Sequence, residues 1–103
     1  MKPEQLKLYQ IYKYKNWKEQ LIYIGIDTVN DYIFLYKNER YVLSKQFFTN
    51  KNLNFDQIVK DLNIELNANG NMVKNYNWCP FNINDLQYLK PIVKDKLKNI
   101  INR

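Results

Sequence analysis

Leu21-Ile22-Tyr23-Ile24-Gly25-Ile26, then Asp27-Thr28-Val29-Asn30-Asp31, then Tyr32-Ile33-Phe34-Leu35-Tyr36, is the stretch that decides the fold. Both apolar runs are β-branched and aromatic, and each is too short for a stable helix. Such side chains lose χ1 freedom in a helix but sit well on a pleated surface. The segment between them is rich in Asp and Asn, whose side chains bond neighbouring backbone groups and so favour turns. Two strands joined by a turn are the expectation. Gly25 alone interrupts them, and a glycine inside a strand marks a bulge or bend in a curling sheet.

Upstream, Leu8 to Lys15 alternates, with Leu8, Tyr12 and Tyr14 on one face and Ile11, Lys13 and Lys15 on the other, as in a strand. Downstream, the polar Lys37-Asn38-Glu39-Arg40 reads as a hairpin connection and Tyr41 to Leu43 as a return strand. Lys45 to Phe48 fits a single helical turn. Short strands joined by short turns make a strongly bent antiparallel meander, for which an SH3-like barrel is the compact form.

Past residue 50 the period changes. Asn54 caps a helix with Gln57 as its capping-box partner, and Phe55, Ile58, Val59, Leu62 and Leu66 share one side. Asn67 to Asn71, around Gly70, ends it. Met72 to Trp78 alternates as an extra strand. A second helix is expected from Asn84, with Leu86, Leu89, Val93, Leu97 and Ile100 as its buried stripe and Pro91 as a kink or restart. The expected fold class is therefore α+β: a bent β-meander followed by two helices with a strand between them. The whole of 1–103 is read as one domain, with a β-rich half at 8–48 and a helix-rich half at 54–103.

Ile, Leu, Val and Phe supply 32 of 103 residues, enough for a folded core. No apolar run approaches the roughly 20 residues of a membrane span. Residues 1–20 show no secretory leader pattern, and the single Cys79 cannot form an internal disulfide, so a soluble protein of a reducing cytosol is expected. The net charge is +6, carried by fourteen Lys and two Arg. Asn, Lys, Ile, Tyr and Phe all have AT-rich codons and dominate the composition, so genome bias accounts for part of that charge. Its distribution is more informative: residues 1–20 and residues 81–103 each carry +3, and residues 21–80 sum to zero.

The chain has no histidine, one serine and one cysteine. Those absences remove the usual general base near neutral pH, the Ser-His and Cys-His dyads and the ordinary zinc sites. Cys79, between Trp78 and Pro80, reads as a small buried hydrophobe. The acids are scattered singly, and two glycines make no phosphate loop. A non-enzyme is expected, with no cofactor, no metal and no membrane partner. A metal-dependent nuclease would have to rest on Asp27 or Asp31.

Tyr12-Lys13-Tyr14-Lys15-Asn16-Trp17-Lys18 interleaves three aromatics with three cations. A single-stranded nucleic-acid groove uses such a mixture, with rings to stack bases and ammonium groups to meet phosphates. Strand alternation gives the competing reading, in which Tyr12 and Tyr14 enter the core while the lysines face water; Trp17, in the following loop, escapes it. Lys90, Lys94 and Lys98 recur at steps of four and add a second basic element, although cations also suit a helix C-terminus. The candidate binding residues are thus Tyr12, Lys13, Lys15, Trp17, Lys18, Lys90, Lys94 and Lys98. They point to a binding module for RNA, single-stranded DNA or a nucleoprotein. The alternative is a protein partner: small basic chains of this style also serve as phage or mobile-element inhibitors that occlude a host protein such as a CRISPR or other defence nuclease.

Overall fold

The Asp27 carboxylate builds the turn that sets the sheet going. Its Oδ1 accepts from the Val29 and Asp31 backbone N–H groups at 3.0 and 2.9 Å, and Asn30 takes a left-handed φ of 65°. In this computed structural model, which describes residues 1–70 and 72–92, that turn joins β2 (Leu21–Ile26) to β3 (Tyr32–Ser44). β1 is Ile11–Tyr14, shorter than the alternation suggests. Tyr9 at φ 68° and Lys15 at φ 49° break the pleat at both ends, so Leu8 leaves the face of Tyr12 and lies exposed.

β3 corrects the expected hairpin. It runs on through Lys37–Arg40 as one strand of 13 residues, against β4 (Met72–Phe81). Lys37 pairs with Tyr76 and Val42 with Lys74, so Asn38 to Tyr41 stand opposite Asn75 alone. Reversal through a tight hairpin turn needs positive φ, usually at glycine or asparagine followed by glycine. No residue from Lys37 to Tyr41 adopts one; the positive φ, 62°, falls on Asn75 across the ladder. The polar run is a large bulge.

Two helices follow β3. α1 (Lys45–Asn50) is capped by Ser44, whose Oγ accepts from the Phe47 N–H, and α2 (Phe55–Leu62) by Asn54, whose Oδ1 accepts from the Gln57 N–H at 3.0 Å. The capping box is half formed, because the Gln57 amide donates to Asp61 instead. α2 stops before Leu66: Asn63 takes φ 54°, a left-handed conformation that asparagine tolerates better than most residues.

The expected C-terminal helix is also corrected over residues 84–92. Asp85–Tyr88 is a 3-10 turn and Leu89–Pro91 is β5. Pro91 disfavours helical backbone at Lys90, which is extended here, and its missing N–H is tolerated on an edge strand. Leu86 and Leu89 are buried, but by a turn and a strand. The remaining stripe residues, Val93, Leu97 and Ile100, lie outside the described residues. The second half of the chain thus contributes strands as well as α2.

The result is an α+β arrangement with a five-stranded antiparallel sheet in the order β4-β3-β2-β1-β5. Its register shifts between Tyr23 and Gly25, where Gly25 has φ 133° and the Leu53 side chain lies 3.0 Å from the place a Cβ would occupy. The sheet curls strongly. Tyr14 on β1 and Phe81 on β4 stack with centroids 4.4 Å apart, whereas three strand steps in a flat sheet span about 14 Å. It does not close: β4 and β5 do not pair, so the SH3-like barrel expected from the meander is not completed.

The curl makes two cores. Tyr12, Tyr14, Leu21, Tyr23, Phe34, Phe81, Leu86 and Leu89 fill the concave side. Ile24, Ile33, Leu35 and Leu43 on the convex side are covered by Phe48, Phe55 and Ile58 of the helices and by Ile64. Among the described residues, no helix is long and apolar enough to cross a membrane.

Candidate nucleic-acid interface

β1 ends against β5, and this pairing brings the two basic segments of the sequence together. Lys13 lies directly opposite Lys90, and Tyr14 opposite Leu89. Pleating separates their roles: Tyr12, Tyr14 and Leu89 point inward and are buried, while Lys13 and Lys90 point outward and are exposed. The interleaved aromatics and cations therefore belong to opposite faces of the strand. Tyr12, at 1 % exposure, cannot stack a base, and its hydroxyl accepts from the Lys7 N–H at 2.9 Å.

The left-handed turn at Lys15 regroups the next side chains. The Lys15 N–H donates to the Tyr88 carbonyl, and the Trp17 N–H to the Tyr14 carbonyl at 3.0 Å. The Lys15 ammonium consequently lies 4.1 Å from the Tyr88 ring centre and 5.3 Å from that of Tyr14. Tyr14 itself is an aromatic hub, 4.8 Å from Trp17, 4.4 Å from Phe81 and 6.0 Å from Tyr88. Trp17 is 39 % exposed and Tyr88 43 %, so each rests on the hub while presenting ring surface to solvent.

Tyr88 is a functional candidate that the sequence did not reveal. It falls at a position read as an ordinary helix residue, and only the β1–β5 pairing carries it to Lys15. Lys18 is exposed in the β1–β2 loop. Lys94 and Lys98 lie outside the described residues, so Lys90 alone of the second basic element is placed.

The charges at this end have no partner within the described chain. Among the described residues the ion pairs are Lys45 with Asp56 and Lys51 with Asp27, and none involves Lys13, Lys15, Lys18 or Lys90. Lys51 shows the contrast: its ammonium meets Asp27 Oδ2 at 3.7 Å and lies 4.3 Å from the Trp78 ring centre, tying α1 to the β2–β3 turn. That contact, with the two backbone bonds already described, commits the buried Asp27 carboxylate to structure. Among the described residues no three of His, Cys, Asp and Glu gather around a common point. Burial pushes the Cys79 thiol up to about 12, far from the thiolate a nucleophile needs.

Compared with protein-family models, with curated proteins and with solved structures, the chain finds no match in any of the three.

Proposed function

We propose that this protein is a non-enzymatic binding module for RNA or single-stranded DNA, free or within a nucleoprotein, and that it works in the cytosol. The observation that carries this reading is the outward pair Lys13 and Lys90, neighbours across the β1–β5 ladder. Like charges directly opposite on a ladder are destabilising. AT-rich codons supply lysines anywhere, but they do not choose two positions that the fold then sets side by side. A polyanion offsets that repulsion on binding, and lysine meets phosphate as a point charge without the bidentate geometry of duplex base readout.

Trp17 and Tyr88 add the sequence-tolerant part. A base stacked on such a ring contributes ~1–3 kcal/mol, and Lys15, whose ammonium lies beside the Tyr88 ring, supplies a phosphate contact. The strand order, a meander whose last strand returns to the first after a 3-10 turn, supports the reading of the scaffold as an SH3-like barrel left open between β4 and β5.

The test is fluorescence anisotropy of labelled single-stranded RNA and DNA across a salt series, with wild type and with Lys13, Lys15 and Lys90 changed together to Gln. Binding that weakens steeply with salt and is lost in the triple variant is the expected result. Unchanged binding in a folded triple variant overturns the site.

A second reading rests on the same two aromatics. Exposed Trp and Tyr anchored on a rigid hub are typical hot spots of protein interfaces. On this reading the protein is a phage or mobile-element inhibitor that caps a host defence nuclease such as a CRISPR effector. Salt separates the two: an apolar interface persists at ionic strengths that release phosphates.

A further inference from the structure

On the convex side of the sheet, the helices stop short of β1. Ile11 and Ile22 face each other across the β1–β2 ladder, and both are only half buried. They form the floor of an open groove of about 570 Å³, walled by Lys18, Glu19, Gln20 and Lys37. No residue of α1 or α2 lines it. Pleating puts Ile11 on the same face as Lys13, so the groove is continuous with the Lys13–Lys90 pair. Two ammonium groups, those of Lys18 and Lys37, wall this aliphatic floor, with Glu19 as the one carboxylate among the groove residues; Lys13 and its ladder partner Lys90 come next along the same face.

That combination has a specific chemical complement. A nucleobase is a flat heterocycle whose face suits an aliphatic floor and whose edge carries donors and acceptors, which the Gln20 amide and Glu19 carboxylate can meet. The phosphates on either side of it match the lysines. Lys18 joins this groove to the aromatic end, since it follows Trp17 in the chain and lines the groove wall. A duplex keeps its bases stacked and paired, and cannot lower one into such a groove. From this geometry we infer that the Ile11–Ile22 groove is a second nucleotide subsite, taking one unpaired base with its flanking phosphates on Lys18 and Lys37. A single strand then runs from Trp17 and Tyr88, past Lys13 and Lys90, into the groove. The inference rests on the nucleic-acid reading above, and adds Lys37, Ile11 and Ile22 to the interface.

The experiment compares full-length wild type with Lys37→Gln, and separately with Lys13→Gln/Lys90→Gln, by anisotropy on oligouridylates and oligothymidylates of increasing length and on a blunt duplex. Matching thermal unfolding midpoints establish that the variants fold. Lys37→Gln is expected to weaken binding of the longer single strands several-fold, and to reduce the salt slope by about 0.7, the value of one phosphate on a single strand. The shortest strands, which fill the Trp17–Tyr88 end alone, are expected to bind it as they bind wild type. If Lys37→Gln binds every length as wild type does while the Lys13/Lys90 variant fails, the groove is overturned and the nucleic-acid reading stands. Equal affinity for duplex and single strand overturns the unpaired base. No binding by wild type overturns both.

Discussion

The convex surface of this sheet has two halves built on the same strands, and they are occupied in opposite ways. Over β2, β3 and β4, aliphatic side chains at Ile24, Ile33 and Leu35 lie under Phe48, Phe55 and Ile58. Over β1 and β5, Lys13 and Lys90 replace them, and the half-buried Ile11 lies between Ile22 of β2 and Ile92, which follows β5 and donates its N–H to the Ile11 carbonyl. Both halves share one aromatic concave core. The difference separates two jobs: burial in the covered half holds the fold and, on the proposed function, charge in the open half meets the ligand. Substitutions in the two halves should therefore move stability and binding independently.

The largest effect belongs to the covered half. Phe48 is fully buried where α1 meets the sheet, and its ring packs on Phe47 and Phe55 with centroids 5.0 and 5.2 Å away. Phe48→Ala removes that area and leaves a cavity, for an expected loss of about 3–5 kcal/mol in urea unfolding. Ile11→Ala in the open half is expected to cost well under half of this, because its side chain is only half buried. Equal losses would show that the open half is packed as tightly as the covered one.

Asp27→Ala is the next test, at the joint that pins α1 to the sheet. It removes the acceptor for the Val29 and Asp31 N–H groups and leaves the Lys51 ammonium on Trp78 without its carboxylate. An expected loss of about 2 kcal/mol follows from charged hydrogen bonds of this kind. Nucleic-acid affinity of the folded fraction is expected to stay at the wild-type value. Wild-type stability with a loss of metal-dependent cleavage would instead return Asp27 to a catalytic role.

Local signals were legible where a single residue type does the work. Asn54 capping α2 and Gly25 at the register shift could be read directly, as could the β-branched runs of β2 and β3. What escaped depends on pairing across distance. Lys37–Arg40 looks like a turn in isolation, and it bulges within a strand because β4, some thirty-five residues on, pairs on both sides of it. The helical period from Leu86 to Ile100 concealed β5, although Pro91 was the physical signal that residue 90 would be extended. The site divided the same way. Lys13, Lys15, Trp17 and Lys90 could be named from composition, but their grouping and the part of Tyr88 follow from the β1–β5 register. Alternation, weighed beside the stacking idea, correctly puts Tyr12 inside.

Lys90→Gln sharpens the comparison because its two effects have opposite signs. Removing one of two facing cations is expected to leave stability unchanged or raise it by up to about 0.5 kcal/mol, while single-strand binding weakens. Urea unfolding and anisotropy on the same preparation read both. A variant that is less stable would show that Lys90 supports β5 through its stem, and that the repulsion argument fails.

The smallest expected effect is a pH response confined to the covered half. Tyr9 packs on that core, and its phenol is influenced by the Asp61 carboxylate of α2. Burial first, and then Asp61, pushes the Tyr9 phenol up to about 12. A group whose folded pKa is raised contributes stability below its unfolded value near 10, and that contribution is lost as pH rises toward 12. Asp61 moves the other way: the Gln57 amide, followed by the Tyr9 hydroxyl, holds its carboxyl below the ordinary 3.8. Its contribution is present above the unfolded value and is lost as pH falls through the folded one. In Tyr9→Phe, an NMR titration of the Asp61 carboxyl is expected to move partway back toward 3.8, since Gln57 remains, and the late-ionising phenol near 12 should disappear from the ultraviolet titration. Binding at neutral pH is expected to be the same as wild type, because no group of the Lys13–Lys90 half takes part. A change in nucleic-acid affinity on Tyr9→Phe would break the separation, showing that the covered half positions the open one.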